Sequence, residues 1–238
     1  KNLPDIEIGQ GANDLATDYF SSTIYTGNGS NTHNITLGFD PDLVAIKERT
    51  NASSWAWVDS VRGAGTGDSL KVWDSTSTNA EFTGENDQVR AFTSTGMTLD
   101  DNSDDSFYVN RNNETYVAHA WLAGTAFSND ASETSVGTVD SEGQANTDAG
   151  FSIVKYVGTG SVLSWKHGLN SAPDLVMVKN RDQADSWNVQ HSALGGTKVL
   201  YLNSNSALAT QSTRWNDTNP TSSVVTIGTI DEMNTSGE

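Results

Sequence analysis

The sequence contains no cysteine, only four prolines, and 13 basic residues against 30 acidic ones among its 238 positions. Without cysteine, a disulfide framework, a cysteine-ligated zinc site and thiol catalysis are excluded. The net charge of −17 disfavours a sequence-independent grip on nucleic-acid phosphates or on an anionic membrane surface. No apolar run approaches the roughly 18 residues of a membrane span. We therefore expect neither nucleic-acid binding nor membrane insertion.

Aromatic residues argue against a disordered acidic chain, because the sequence holds seven Trp, seven Phe and six Tyr. Charged residues make up only 18% of the chain, and 21 glycines punctuate a sequence rich in Asn, Ser and Thr. Such a composition favours short strands and many turns over helices. The first residue is Lys1 and no signal peptide follows it. We therefore expect a processed chain or a fragment of a longer one.

An internal repeat is the strongest pattern in the sequence. Residues 41–49 read Pro-Asp-Leu-Val-Ala-Ile-Lys-Glu-Arg, and residues 173–181 read Pro-Asp-Leu-Val-Met-Val-Lys-Asn-Arg, an offset of 132. Trp55 and Trp187 share that offset. Further collinear matches pair Phe20 with Phe151, Gly29 with Gly160, Ser60 with Ser192, and Glu114 with Glu238. A collinear series of this kind predicts two copies of one unit.

Short apolar segments separated by turn residues recur within each copy, as in a sandwich or barrel. We predict an all-β protein of two tandem antiparallel β-sandwich repeats with a jelly-roll-like arrangement. An N-terminal segment (1–19) precedes repeat 1 (20–123), and a connector (124–149) with an edge strand at 135–139 leads to repeat 2 (150–238). Runs that are apolar at consecutive positions predict burial on both faces for Leu43, Val44, Ile46, Leu175, Val176 and Val178.

The second repeat is incomplete in this sequence. The first copy continues past Glu114 into an alternating segment at 116–121, whereas the second copy reaches the matching position at Glu238. The second sandwich therefore lacks its last strand and presents an open edge. We expect a full-length protein that continues with a similar strand; the alternative is a strand from a neighbouring subunit.

Two motifs resemble catalytic sequences without their required partners. Gly67-Asp68-Ser69-Leu70 spells an esterase nucleophile block, but none of the four histidines has an aspartate three positions before it. Without a base, Ser69 is an ordinary hydroxyl. His191 and Ser192 are neighbours in sequence, and neighbours on a strand point to opposite faces, so they cannot form a catalytic pair. We interpret them as part of a turn or a strand end. We expect no enzymatic activity.

An acidic loop offers weak candidates for a metal site. Asp100, Asn102 and Asp104 place oxygens at alternate positions, as calcium requires. The helical calcium-loop signature fails, because its sixth and twelfth positions are Asp105 and Arg111. A looser calcium site and a solvated acidic hairpin loop are the two interpretations, and no other cofactor is expected.

Tryptophans are the candidates for ligand contacts. Trp55 and Trp187 match between the copies and are expected in the cores. Trp57, Trp73, Trp121, Trp165 and Trp215 are not all matched, so they are the candidates for exposed contacts, above all Trp57, Trp73, Trp165 and Trp215. Charged residues that recur in both copies predict structural ion pairs: Asp42 and Asp174, Lys47 and Lys179, Arg49 and Arg181.

Several blocks together resemble a known repeat domain. They lie at residues 25–30, 37–47, 59–63, 95–99 and 115–118 of the first copy and at 149–154, 158–161, 167–169 and 172–176 of the second. The chain resembles an uncharacterised repeat domain of structural proteins of tailed bacteriophages, such as tail fibres or minor virion proteins. The resemblance implies a non-enzymatic virion protein that forms homo-oligomers and contacts other virion proteins, and it carries over no catalytic residue.

A carbohydrate-binding, lectin-like β-sandwich that contacts glycans of the host surface is the alternative function. Exposed Trp and Tyr on a concave face would favour glycan binding. Aromatic residues confined to cores would favour the structural role.

Overall fold

The computed structural model describes residues 15–63, 65, 70–82, 88–101 and 108–238. The fold is all-β with antiparallel sheets, as the sequence predicts. Its α-helices are single turns: α1 (Ala131–Thr134), α2 (Ser212–Trp215) and α3 (Asp231–Asn234). Two 3₁₀ turns lie at Ala16–Asp18 and Ser192–Leu194. Within these ranges no helix has the length and apolarity needed to cross a membrane.

The N-terminal half, defined here as residues 15–124, forms two facing sheets. Its strands are β1 (Phe20–Thr26), β2 (His33–Thr36), β3 (Leu43–Glu48), β4 (Trp55–Asp59), β5 (Val72–Asp74), β6 (Val89–Thr93), β7 (Gly96–Leu99) and β8 (Thr115–Trp121). The larger sheet has the order β1-β8-β3-β4-β5 and the smaller one β2-β7-β6. Val44, Ile46 and Tyr116 of the larger sheet pack with Ile35 and Met97 of the smaller one. This core makes the N-terminal half a β-sandwich.

The central strand β3 explains why its residues are apolar on both faces. It lies between β8 and β4 in the larger sheet. Val44 and Ile46 enter the core, and Leu43 and Ala45, on the opposite face, are also buried. The predicted burial of Leu43, Val44 and Ile46 is confirmed, because a strand in the middle of a covered sheet exposes neither face.

The connector contributes two strands, which the sequence analysis missed. These are β9 (Thr125–Asn129) and β10 (Ser141–Asn146), and they form one sheet with β11 (Phe151–Tyr156) in the order β11-β10-β9. The predicted edge strand at 135–139 is wrong. Ser135 ends α1 in the left-handed conformation at φ 57°, and the backbone N–H groups of Thr138 and Val139 both donate to the Ser164 carbonyl.

The C-terminal half, residues 125–238, holds the remaining strands. They are β9, β10, β11 (Phe151–Tyr156), β12 (Leu163–Lys166), β13 (Leu175–Val178), β14 (Asn188–His191), β15 (Lys198–Tyr201), β16 (Ala209–Thr210) and β17 (Val224–Ile227). β12 pairs with β17, and β13 to β16 form one sheet in chain order. Leu163, Trp165, Trp215, Val225 and Ile227 form the core between these elements.

Side-chain hydrogen bonds recur at matched positions of the two halves. The Tyr25 hydroxyl donates to the Val109 carbonyl over 2.7 Å, and the Tyr156 hydroxyl donates to the Met233 carbonyl over the same distance. Each bond joins the end of β1 or β11 to a segment near the end of its half, before β8 in the first half and within α3 in the second. Such matched buried contacts are what two copies of one unit predict.

A second matched contact joins the residue directly before β3 or β13 to the residue directly after β4 or β14. The Ser60 hydroxyl donates to Asp42 over 3.0 Å, and the Ser192 hydroxyl donates to Asp174 over 2.5 Å. The backbone N–H groups of the same two serines donate to the carbonyls of the same two aspartates. An aspartate and a serine are therefore hydrogen-bonded at the start of β3 and in the same way at the start of β13.

One element of the N-terminal half has no counterpart in the C-terminal half. β8 lies between β1 and β3, but the matching strands β11 and β13 have no strand between them among the described residues. Leu175 is 52% exposed and Val176 is partly exposed, so their predicted burial is wrong, whereas Val178 is buried as expected. Leu175 is exposed because none of the described strands pairs with β13 on that side.

Candidate functional site

A row of aromatic rings covers the outer face of the larger N-terminal sheet. Because strand residues alternate between faces, Trp55 and Trp57 of β4 and His119 and Trp121 of β8 share this face. Ring centroids are 5.8 Å apart for Trp55 and His119, and 6.2 Å for Trp57 and Trp121. We call this set the aromatic layer; it consists of Phe20, Trp55, Trp57, Trp73, His119, Trp121, Phe151 and Trp187.

Two residues of the C-terminal half complete the aromatic layer. Trp187 is 4% exposed, and its ring centroid lies 5.1 Å from Trp73 and 6.0 Å from Trp57. Its indole N–H donates to the Asp74 carbonyl over 3.3 Å. Phe151 stacks on Trp121 at 6.1 Å. The aromatic layer is therefore the contact between the two halves, and its ring pairs contribute beyond the area they bury.

An acidic residue beside the aromatic layer holds cations from both halves. Glu81 accepts from Lys71 over 2.9 Å and from two nitrogens of Arg181 over 3.0 Å each, and Arg62 lies at 3.6 Å. The Glu81 N–H also donates to the Arg181 carbonyl over 2.7 Å. Two parallel bonds to one guanidinium fix orientation as well as charge. We call these four side chains the Glu81 cluster.

Opposing effects set the protonation of Glu81. Its side chain is 6% exposed, and burial by itself would raise the carboxyl pKa. Hydrogen bonds from Arg181 and Lys71, with the nearby charges, outweigh burial and hold the pKa of Glu81 below its usual value. The carboxylate is therefore ionised whenever the fold is intact near neutral pH. A buried charge of this kind is tolerated because it is paired on several sides.

Arg62 links the Glu81 cluster to the aromatic layer. Its Nε donates to Asp59 over 2.5 Å, and a second nitrogen donates to the Trp57 carbonyl over 3.0 Å. The guanidinium carbon lies 3.9 Å from the ring centroid of Trp73, a cation–π geometry. Trp73 thus lies between Arg62 and Trp187, so both clusters stabilise the same contact between the halves.

The structure corrects the expected ligand-contact tryptophans. Trp165 and Trp215 were expected to be exposed, but they are 4% and 0% exposed and form part of the C-terminal core. The Trp165 ring stacks there on Tyr156, with ring centroids 4.2 Å apart. Trp57 and Trp73 lie in the aromatic layer, with indole nitrogens that are buried and lack a hydrogen-bond partner among the described residues. These rings offer apolar faces to their neighbours.

The calcium candidates are described only in part. Asp100 is 3% exposed, lies 3.8 Å from Arg90 and accepts the Asp101 N–H over 3.0 Å. Asn102 and Asp104 lie outside the described residues. In the part of the chain that the structure describes, no group of three His, Asp or Glu side chains could hold a metal ion. Calcium binding stays a prediction.

The repeated charged residues have roles that differ from the expected ion pairs. Asp42 and Asp174 bind serine hydroxyls, and the ammonium groups of Lys47 and Lys179 each donate to the carbonyl of the next residue. Arg181 does form an ion pair, but its partner is in the other half. No local sequence signal marks Glu81, because its pairing with Arg181 joins residues 100 positions apart.

Of the two catalytic-looking motifs, the His191–Ser192 pair lies within the described residues. β14 ends at His191 and a 3₁₀ turn begins at Ser192, which confirms the predicted strand end. The His191 Nδ1 accepts the Ala193 N–H and so caps that turn. Ser69 lies outside the described residues. The structure therefore gives His191 a role as a turn cap and does not test the motif that contains Ser69.

Comparisons with known proteins give one match. Residues 15–238 match the family described as "Domain of unknown function (DUF7483)", and the match runs through both halves. No curated protein matches the chain. No solved structure matches it either.

Proposed function

We propose that this chain, which belongs to the DUF7483 family, is a non-enzymatic structural protein of a tailed-bacteriophage virion, as part of a tail fibre, another appendage or the particle surface. The observation that carries the proposal is the contact between the halves. Trp187 and Arg181 join the aromatic layer and the Glu81 cluster, so the most chemically distinctive side chains hold two sandwiches together. A fixed pair of sandwiches is a building unit.

We further infer that the two halves are copies of one repeat. The matched tyrosine–carbonyl and aspartate–serine contacts support this inference, because they join equivalent positions over long sequence separations. Repeated β domains suit an elongated assembly, since each unit brings the same surface to its neighbours. The partners are other virion proteins and further copies of this chain in a homo-oligomer.

Composition supports an extracellular particle as the location. The chain has no cysteine, so its fold does not depend on an oxidising or a reducing environment. Its net charge of −17 repels other acidic surfaces. The resemblance of its sequence blocks to tailed-phage structural proteins supports a virion as that particle.

Mass spectrometry of purified virions tests the proposal. Particles from a density gradient should contain peptides from both halves of this chain in a fixed ratio to the major capsid protein. Particles stripped of tails provide the control that separates an appendage from the capsid surface. Absence of the peptides from intact particles, with their presence in the unassembled lysate, would contradict the proposal.

One feature favours the alternative of glycan binding. The free end of the aromatic layer carries Phe20, which is 39% exposed and stacks on His119 at 6.1 Å. Trp55 lies on the other side of His119 and is partly exposed. A short stack of partly exposed rings is the kind of surface on which a sugar ring packs.

Binding to an array of bacterial surface glycans tests this alternative. Binding that is lost in Phe20→Ala would favour the lectin-like function. Ile24→Ala is the matched control, because Ile24 is 63% exposed on the same strand β1 and lies outside the aromatic layer. No binding by the unmodified protein would leave the structural role as the function of this face.

A further inference from the structure

Two strand edges in the C-terminal half face a space that a strand fills in the N-terminal half. β8 pairs with β1 on one side and with β3 on the other, antiparallel to both. Their counterparts β11 and β13 pair only with β10 and β14 in the described part of the chain. We call the space between β11 and β13 the strand groove.

Glu238 bridges the entrance of the strand groove. Its carbonyl accepts the Gly158 N–H over 2.6 Å, directly after β11. Its carboxylate accepts from the Asn180 side chain over 3.1 Å and from the Gln183 side chain over 2.6 Å, shortly after β13. One residue is therefore bonded to the ends of both strands, which places those ends beside each other.

The same backbone contact in the N-terminal half leads straight into β8. The Glu114 carbonyl accepts the Gly27 N–H over 2.8 Å, and Thr115 begins β8 at the next residue. In both halves glycine is required at the contact. A Cβ atom at Gly27 would overlap the Arg111 carbonyl, and one at Gly158 would overlap the Thr235 carbonyl. Glu238 therefore lies where the residue before a β8-like strand lies.

The free edges present backbone groups toward the strand groove. Strand residues alternate the edge to which their N–H and C=O groups point. The Ile153 carbonyl points at Gly143 of β10, so the groups of Val154 and Tyr156 point to the opposite edge, on the side of Gly158 and Glu238. On β13 the Asp174 carbonyl binds Ser192 on the β14 side, so Met177 points away from β14.

Side chains along β13 also lack the cover that their counterparts have. Leu43 and Ala45 are 9% and 1% exposed beside Trp121 and His119 of β8, with which they pair. Their counterparts Leu175 and Met177 are 52% and 39% exposed. An apolar, unpaired edge is an adhesive surface that proteins normally cover.

The geometry points to a strand-acceptor site in this groove, whose occupant is a polypeptide segment joined to Glu238. The segment runs antiparallel to β11 and β13 and alternates like β8, with small apolar side chains inward and larger ones outward over Leu175 and Met177. Strand addition of this kind binds through main-chain hydrogen bonds, and alternate side chains fix the register. The site is independent of where the protein acts.

A remaining carboxylate oxygen marks the far end of the groove. In the N-terminal half Asp42 Oδ2 accepts the N–H groups of Ala123 and Gly124 over 2.8 and 2.9 Å, just after β8. Asp174 binds Ser192 through Oδ1, and in the described residues its other oxygen has no such amides. We therefore expect two backbone N–H groups at the end of the proposed segment to donate to the free carboxylate oxygen of Asp174.

Hydrogen exchange on an extended chain tests the site. The segment Thr-Tyr-Val-Ala-His-Ala-Trp-Leu, copied from residues 115–122, is joined directly after Glu238. The amides of Tyr156 and Met177 should exchange about tenfold or more slowly than in the unextended chain, because they gain strand partners. The amides of Ile153 and Val176, which face existing strands, are the internal control and should not change.

Two further extensions make the test decisive. One inserts a single residue after Glu238, which turns every side chain to the wrong face and should abolish the protection. The other replaces the segment's tyrosine by alanine; because Trp165 already stacks on Tyr156, the smaller side chain should give protection at least as strong as the tyrosine segment gives. No protection from either the tyrosine or the alanine extension would overturn the acceptor site.

A free peptide and the natural protein distinguish the source of the strand. Protection of the unextended chain by the same segment added as a peptide, without protection in the tethered versions, would overturn the tethered occupant in favour of another subunit. The intact mass of the protein from its natural source also distinguishes a tethered segment from a strand of another subunit. A polypeptide that ends at Glu238 would overturn the tethered occupant.

Discussion

Removing the ring of Trp187 should weaken the contact between the two halves and lower the free energy of unfolding. The indole is 4% exposed and lies between the rings of Trp57 and Trp73, with its N–H on the Asp74 carbonyl. A buried tryptophan covers about 150–250 Å², and at about 25 cal/mol per Å² its burial is worth about 4–6 kcal/mol. Truncation of such a residue to alanine costs about 3–5 kcal/mol. We expect Trp187→Ala to lower the free energy of unfolding by that amount.

Urea unfolding followed by tryptophan fluorescence measures the loss, and a double-mutant cycle assigns it. Trp187→Ala combined with Trp73→Ala should show a coupling of about 0.5–1.5 kcal/mol, because the rings touch. The control cycle with Phe20→Ala should be additive to within about 0.5 kcal/mol, because Phe20 is at the far end of the aromatic layer. A cost below about 1 kcal/mol for Trp187→Ala, or equal coupling in both cycles, would refute a contact held by these rings.

Three further measurements test the charges and the two matched strands. The pKa of Glu81 is lowered in the folded protein. The stabilisation by its charge is therefore complete above the unfolded pKa of about 4.3 and is lost as the pH falls through the lower pKa of the folded state. Glu81→Gln should make the urea midpoint less dependent on acid pH. Burial lowers the pKa of His167, so stability should fall as the pH drops below about 6.5, and His167→Gln should reduce that fall; an unchanged profile would contradict the buried neutral ring. Leu43→Ala should cost about 2–5 kcal/mol and Leu175→Ala less than about 1 kcal/mol in the chain that ends at Glu238; equal costs would contradict the difference in cover.

Fold class and the N-terminal strands could be predicted from the sequence because their signals are local. β3 is a short run of apolar residues and β8 alternates strictly, so each reveals its burial within a few positions. The similar sequences of residues 41–49 and 173–181 predict that β3 and β13 are counterparts, and this signal is local as well. Such strands can be predicted from short sequence segments because the alternation of side chains along a strand repeats every two residues.

Long-range contacts could not be predicted from the sequence. β10 reads Ser-Glu-Gly-Gln-Ala-Asn, without apolar alternation, and is a strand only because β9 and β11 flank it. Trp165 and Trp215 looked like surface candidates because they had no match in the other copy, but unmatched positions also arise where one core is filled differently. The pairing of Glu81 with Arg181 depends on how two halves dock, which no short segment encodes.

The most direct test of the account is electron cryomicroscopy of the purified virion. A structural role predicts density on the particle that fits two docked sandwiches, present in several symmetry-related copies, with the aromatic layer buried between the halves. The same map would show what lies beside β11 and β13. A particle with no density for this chain, in a preparation whose other structural proteins are all accounted for, would contradict the proposed function.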